Sequence, residues 1–145
     1  MPRLDATIEE IQTPKRRRIY NIALTGVIST PTLETFRRLM RSYVESDLDI
    51  LVDLGSVTYI NSSGLGEMVT LQDTLRQRNC NLLLCNITAE VRQLLAMLGM
   101  NNFLHIFDSR ESALSGLDAG LKKLEPPPAG LAARATMMQV GDSVT

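Results

Sequence analysis

Tryptophan is absent from this 145-residue chain, histidine occurs once, cysteine twice, and aromatic residues make up only 4% of it. Each shortage closes a class of function. With His105 alone, no His/Cys set of the zinc-binding kind can be assembled, so no metal site is expected. The single histidine, the lack of a Gly-x-Ser-x-Gly elbow and the short chain argue against a serine hydrolase. No Gly-x-x-x-x-Gly-Lys-Ser/Thr run is present to cradle a nucleotide phosphate, and no cofactor is expected. Cys80 and Cys85 do not form a Cys-x-x-Cys pair. Five residues apart on one expected strand, they face opposite sides, which leaves two free, buried thiols of a reducing compartment.

A dominant sign of charge is missing too. The formal net charge is -1, so there is no general basic field to hold nucleic acid. The one basic cluster, Lys15-Arg16-Arg17-Arg18, follows Thr13-Pro14 and reads as a solvated turn between two strands, with a polyanion contact as the alternative. No segment approaches about 18 consecutive apolar residues, and the start, Met1-Pro2-Arg3-Leu4-Asp5, has no apolar leader core. A cytoplasmic protein without a membrane segment is expected.

What is present is enough apolar material, 44% of the chain, for one core. Apolar spacing predicts strands over 6–12, 18–28, 49–54, 81–86 and 104–107. Between them, helical spacing of Leu33, Phe36, Leu39 and Met40, then of Leu65, Met68, Val69 and Leu75, then of Val91, Leu94 and Leu98, predicts three helices. A fourth carries Ala113, Leu114 and Leu117. Thr30 with Pro31, Thr88 and Ser109 are the expected helix starts, Gly99 ends the third helix, and Gly26 marks a bulge or strand end. The order ββαβαβαβα, with no internal repeat, gives an α/β fold built on a mostly parallel sheet. Met97, Met100 and Phe103 read as core and helix-end packing; if exposed, they would form an adaptable contact surface.

The densest chemistry lies at one junction, Tyr59-Ile60-Asn61-Ser62-Ser63-Gly64-Leu65-Gly66, where a buried strand gives way to the second helix. A serine there either caps the helix or is a place where phosphate is put on and taken off. A helix start offers unsatisfied N–H groups and favours added negative charge.

The stretch Val52-Asp53-Leu54-Gly55-Ser56-Val57-Thr58-Tyr59-Ile60-Asn61-Ser62-Ser63-Gly64-Leu65-Gly66 resembles the strand-loop-helix signature of the STAS domain, as found in bacterial anti-sigma factor antagonists. Leu24-Thr25-Gly26 and Leu98-Gly99 agree with it more weakly, and the resemblance spans about residues 6–124. It implies a STAS-like fold with a mostly parallel four- to five-stranded sheet and about four helices. It also implies a non-enzymatic binding module. An anti-sigma factor that is also a serine kinase phosphorylates the serine after the family's aspartate, here Ser62, with Ser63 the second choice. The phosphorylated form releases the kinase, a serine phosphatase restores it, and the unmodified form frees a sigma factor by capturing the anti-sigma factor. Docking is expected to use Thr58, Tyr59, Asn61, Ser62, Ser63, Gly64 and Glu67, with help from Thr70 and Thr74.

In two places the chain departs from the family pattern. Asn61 stands where the aspartate is usual, and Val27 follows Gly26 where an acidic residue is usual. The alternative is therefore a STAS subunit of a transport or stress-signalling assembly that is never phosphorylated. The domain is expected to occupy residues 1–125. Pro126-Pro127-Pro128 then opens a tail over 126–145, disordered or, as the alternative, docking through a helix over 131–138.

Overall fold

The computed structural model describes residues 2–127, so the expected tail falls almost wholly outside the described residues. Five strands form one sheet in the order β1-β2-β3-β4-β5. They are β1 (Leu4–Gln12), β2 (Arg18–Ile28), β3 (Asp49–Ile60), β4 (Leu82–Cys85) and β5 (His105–Phe107). Only β1 and β2 are antiparallel; every other pairing is parallel. The helices are α1 (Leu33–Val44), α2 (Ser62–Gln77), α3 (Ala89–Met97) and α4 (Arg110–Ala119).

The apolar run Leu82-Leu83-Leu84-Cys85 explains the layering. Alternate side chains of a strand face opposite ways, so a strand without polar residues needs cover on both sides. Leu82 and Leu84 join the larger core beneath α1, α2 and α3, together with Ile50, Val52, Phe36, Met68 and Leu95. Leu83 and Cys85 join the smaller one beneath α4, with Ile19, Leu51, Ala113 and Leu117. Both cysteines are free and buried, and burial pushes the Cys85 thiol up to about 12. Cys80 lies just ahead of β4 rather than on it.

Local signals set most boundaries. The Thr88 hydroxyl accepts the Val91 N–H (3.1 Å), the Ser109 hydroxyl accepts the Ser112 N–H (3.1 Å), and Gly99 leaves α3 at φ +67. The first helix starts differently from expectation. Thr30, Pro31 and Thr32 form a 3-10 turn preceded by Ser29, and α1 begins only at Leu33. Thr32 causes this, because its hydroxyl accepts the Ser29 N–H (3.0 Å) and donates to the Val27 carbonyl (2.8 Å).

The basic cluster does form the turn between β1 and β2. Arg17 pairs with the buried Asp49 carboxylate at 2.6 Å and Arg18 with Glu10 at 2.7 Å, while Thr13 donates to Asp118 of α4 at 2.6 Å.

A larger difference concerns β3, which continues to Ile60 rather than stopping at Leu54. Its second half pairs with the second half of β2, through Thr25 with Ser56, Gly26 with Val57, Val27 with Tyr59 and Ile28 with Ile60. Two register shifts fall in that stretch. Glycine and serine at 55 and 56 therefore mark irregular pairing inside one long strand, not its end. Gly26 is part of the same irregularity: at φ +118, a Cβ there would lie 2.1 Å from the Arg3 carbonyl oxygen.

His105 opens β5 and is 4% exposed. Burial, reinforced by Lys122 and opposed by Asp49, holds its imidazole below the ordinary 6.5. The unfolded chain therefore binds a proton that the folded chain refuses. Stability is complete above the ordinary value and falls as pH drops through it. The urea midpoint is expected to decline from about pH 7 to about pH 5.5 more steeply in the wild type than in His105→Gln. Parallel curves for the two proteins would contradict this.

Candidate functional site

The junction between β3 and α2 is assembled from the ends of β2 and β3 and the first turn of α2. Ile60 pairs with Ile28, and the next backbone N–H, that of Asn61, donates to the Ile28 carbonyl (3.2 Å). The chain then turns directly into α2. Its cap is Asn61, whose side-chain oxygen accepts the Gly64 N–H (3.0 Å) while its carbonyl accepts the Leu65 N–H (3.0 Å). The capping role considered for Ser62 and Ser63 thus belongs to Asn61, because it alone keeps the extended backbone that a cap requires. Ser62 and Ser63 occupy the first two helical positions.

Gly64 lets this corner close. A Cβ there would come within 2.7 Å of the Ile28 carbonyl oxygen and 2.9 Å of both Ile28 Cγ2 and Ile60 Cγ1. The first turn of α2 therefore rests directly on the ends of β2 and β3. That contact hides much of the expected site. Ser62 is 7% exposed and Ser63 2%, and Asn61 and Gly64 are buried as well. The Ser63 hydroxyl is enclosed with no hydrogen-bond partner among the described residues. Thr58, which donates to the Gly26 carbonyl (3.2 Å), and Tyr59, 54% exposed, form the open rim. The span expected as a loop, 58–63, is the end of a strand followed at once by a helix.

Charge around the junction is set by what is missing from it. The first turn of α2 carries no acidic residue, so nothing on it offsets the positive end of the helix dipole. Glu67, one turn further on, is bound by Arg37 of α1 at 2.5 Å. That bond holds the Arg37 guanidinium above its ordinary range. Asp53, further back on β3, accepts the Gly55 N–H (2.8 Å) and the Asn86 amide (3.0 Å). A negative charge placed at Ser62 would meet the helix N-terminus without a carboxylate in the first turn to repel it.

One pairing had no signal in the residue pattern. Nothing in the spacing of α1 marks Arg37 as the partner of a residue 30 positions away. Met97 is exposed, unlike buried Met100, because it lies off the stripe of Val91, Leu94, Leu95 and Leu98 that faces the core. Beside Tyr59 it edges a cleft of about 320 Å³ between the end of β3 and α3. Of the three residues read as packing, Met100 is buried and Phe103 packs against the core, so Met97 alone is exposed.

A family model described as the STAS domain matches residues 10–113. The chain belongs to the STAS domain family. It is 27% identical over 104 residues to the anti-sigma-B factor antagonist of Staphylococcus aureus, covering 70% of this chain and 94% of that one. Among solved structures, the anti-sigma factor antagonist SpoIIAA in its unphosphorylated form matches at 16% identity over 81% of this chain and 100% of its own, with a TM-score of 0.62. An anti-sigma factor antagonist from Mycobacterium paratuberculosis matches at 14% identity over 80% of this chain and 95% of its own, with a TM-score of 0.70. The structural likenesses carry the STAS fold. No helix among the described residues is long and apolar enough to cross a membrane, and they contain no group of three His, Cys, Asp or Glu side chains able to hold a metal ion.

Gly64→Ala separates close approach from ordinary helix propensity. On an open helix the change would stabilise by about 1 kcal/mol, whereas here it is expected to destabilise by about 1–3 kcal/mol in urea unfolding. A gain in stability would contradict the contact. Asn61→Ala is expected to lose about 1 kcal/mol and Asn61→Asp almost nothing, since aspartate caps equally well.

Proposed function

We propose that this chain is an anti-sigma factor antagonist, a cytoplasmic binding module without catalytic activity that captures an anti-sigma factor of the serine-kinase type. Phosphorylation of Ser62 switches it off and a serine phosphatase restores it, so sigma-factor-dependent transcription follows the state of one hydroxyl. The observation that carries this reading is Ser62 at the first position of α2, directly after a capping Asn61, on a STAS fold. The names of relatives such as the Staphylococcus aureus protein support the partner class.

The physical consequences follow from position. A phosphoserine carries about −1.5 to −2 charge, and at a helix N-terminus the dipole offsets part of it, so the fold tolerates the modification. A partner docked on the exposed rim of Thr58 and Tyr59 beside Ser62 does not tolerate it, because the same charge would be desolvated against its surface. Ser62 is the better acceptor than Ser63, whose hydroxyl is fully enclosed. Transfer requires the first turn of α2 to open locally, and helix ends open at the lowest free energy.

Asn61 bears on rate. Where the family has an aspartate, this chain keeps the cap and lacks the carboxylate, so a carboxylate that orients the hydroxyl or the kinase's metal-nucleotide would be missing here. The second reading, an unphosphorylated STAS subunit of a transport or stress-signalling assembly, rests on the same Asn61 and on the burial of both hydroxyls.

Incubation with the cognate anti-sigma kinase and Mg-ATP, followed by mass spectrometry, is expected to place phosphate on Ser62 in the wild type and to find none in Ser62→Ala. Asn61→Asp is expected to be modified faster, by about tenfold. Absence of phosphate from both Ser62 and Ser63 would overturn the switch and favour the subunit reading.

A further inference from the structure

At the opposite end of the sheet, where β3, β4 and β5 begin and α2 and α4 end, lies a cleft of about 540 Å³ that the switch does not use. Arg76 on its rim is fourteen residues beyond Ser62 on α2, roughly 21 Å along the helix axis. The lining carries four cations, Arg17, Arg76, Lys122 and Lys123, and no carboxylate. An adjoining cleft of about 560 Å³ shares His105 and Lys122, adds Arg92, and likewise has no carboxylate in its lining.

Some of this charge is already spent. Arg17 holds Asp49 at 2.6 Å and Arg76 holds Asp73 at 2.7 Å. Lys122 and Lys123 are exposed and make no ion pair among the described residues. Two nearly buried polar side chains in the lining also keep unused hydrogen-bonding capacity. Gln72 is 5% exposed and spends its carbonyl oxygen on the Leu82 N–H (2.8 Å), which leaves its amide N–H groups without a protein acceptor among the described residues. His105 makes no side-chain hydrogen bond among them either. Neither is among the fully enclosed, unpartnered side-chain atoms, so both still reach solvent and can meet a ligand in the cleft.

The unspent groups include the amide donors of Gln72 and two lysine ammoniums, so their natural counterpart is an acceptor with negative charge. The C-terminal ends of α2 and α4 point the same way and repel an anion, so the side chains have to supply the attraction. Lys122 and Lys123 exceed what one helix end requires. Leu117, Leu121, Leu124 and Pro126 give the remainder of the lining an apolar wall, and the volume is far larger than a bare inorganic anion fills. We propose that this cleft binds a small organic anion, its acidic head among Lys122, Lys123, Gln72 and His105 and its apolar body against Leu117 and Leu121.

The test is an amide-resolved NMR titration of the full 145-residue chain with phenyl phosphate, with inorganic phosphate as the head alone and phenol as the body alone. Phenyl phosphate is expected to give saturable shifts confined to Gln72, Asn81, His105 and 117–124, and to bind about tenfold tighter than either fragment. The Lys122→Gln/Lys123→Gln double variant, altered only at exposed positions, is expected to weaken it about tenfold, and Arg41→Gln on the distant α1 to leave it unchanged. Shifts that do not saturate, that phenol reproduces, or that survive the double variant would overturn the site and reduce the lysines to offsetting the end of α4. Phosphorylation of Ser62 is unaffected by either outcome.

Discussion

Everything at the junction depends on how closely α2 approaches the sheet. Gly64 lies against Ile28 and Ile60, and no side chain fits between them. That contact sets where the helix begins, which residue caps it and how deeply the serines sit. The cap must be the residue that accepts the Gly64 N–H, which makes it Asn61, and Ser62 and Ser63 follow as the first helical residues. Close packing therefore competes with access to the serine hydroxyls at the same place. The first turn is well anchored, so phosphate transfer to Ser62 requires it to open locally.

The electrostatic setting is as informative as the packing. A kinase substrate site with acidic neighbours would raise the local negative charge again on modification. Here Asn61 replaces a carboxylate, Val27 stands where an acidic residue is usual, and Arg37 binds Glu67. The junction thus starts without uncompensated acidity, and a phosphate would supply the first strong negative charge on that face. A switch built this way has high contrast between its two states even where the carboxylate that would help install the phosphate is missing.

The element order and the two-sided core were legible in the sequence, because strands such as Leu82–Cys85 lack polar residues and because Thr88, Gly99 and Ser109 act locally on their own helices. The strand-to-helix junction was legible for the same reason: its residue types serve short-range geometry. What could not be read were consequences of distant contacts. The continuation of β3 to Ile60 depends on pairing with β2 across two register shifts, so Gly55-Ser56 looks like an ending. Thr32 moves the start of α1 by bonding back to Val27. The burial of Ser62 and Ser63 and the Arg37–Glu67 pair follow from packing between elements far apart in the chain.

If Ser62 is the switch, one phosphate there decides whether a partner binds. The direct measurement is the affinity of the anti-sigma factor kinase for the full chain before and after stoichiometric phosphorylation at Ser62. A loss of about a hundredfold or more, reversed by phosphatase treatment, is predicted. Equal affinity for the two forms would contradict the account.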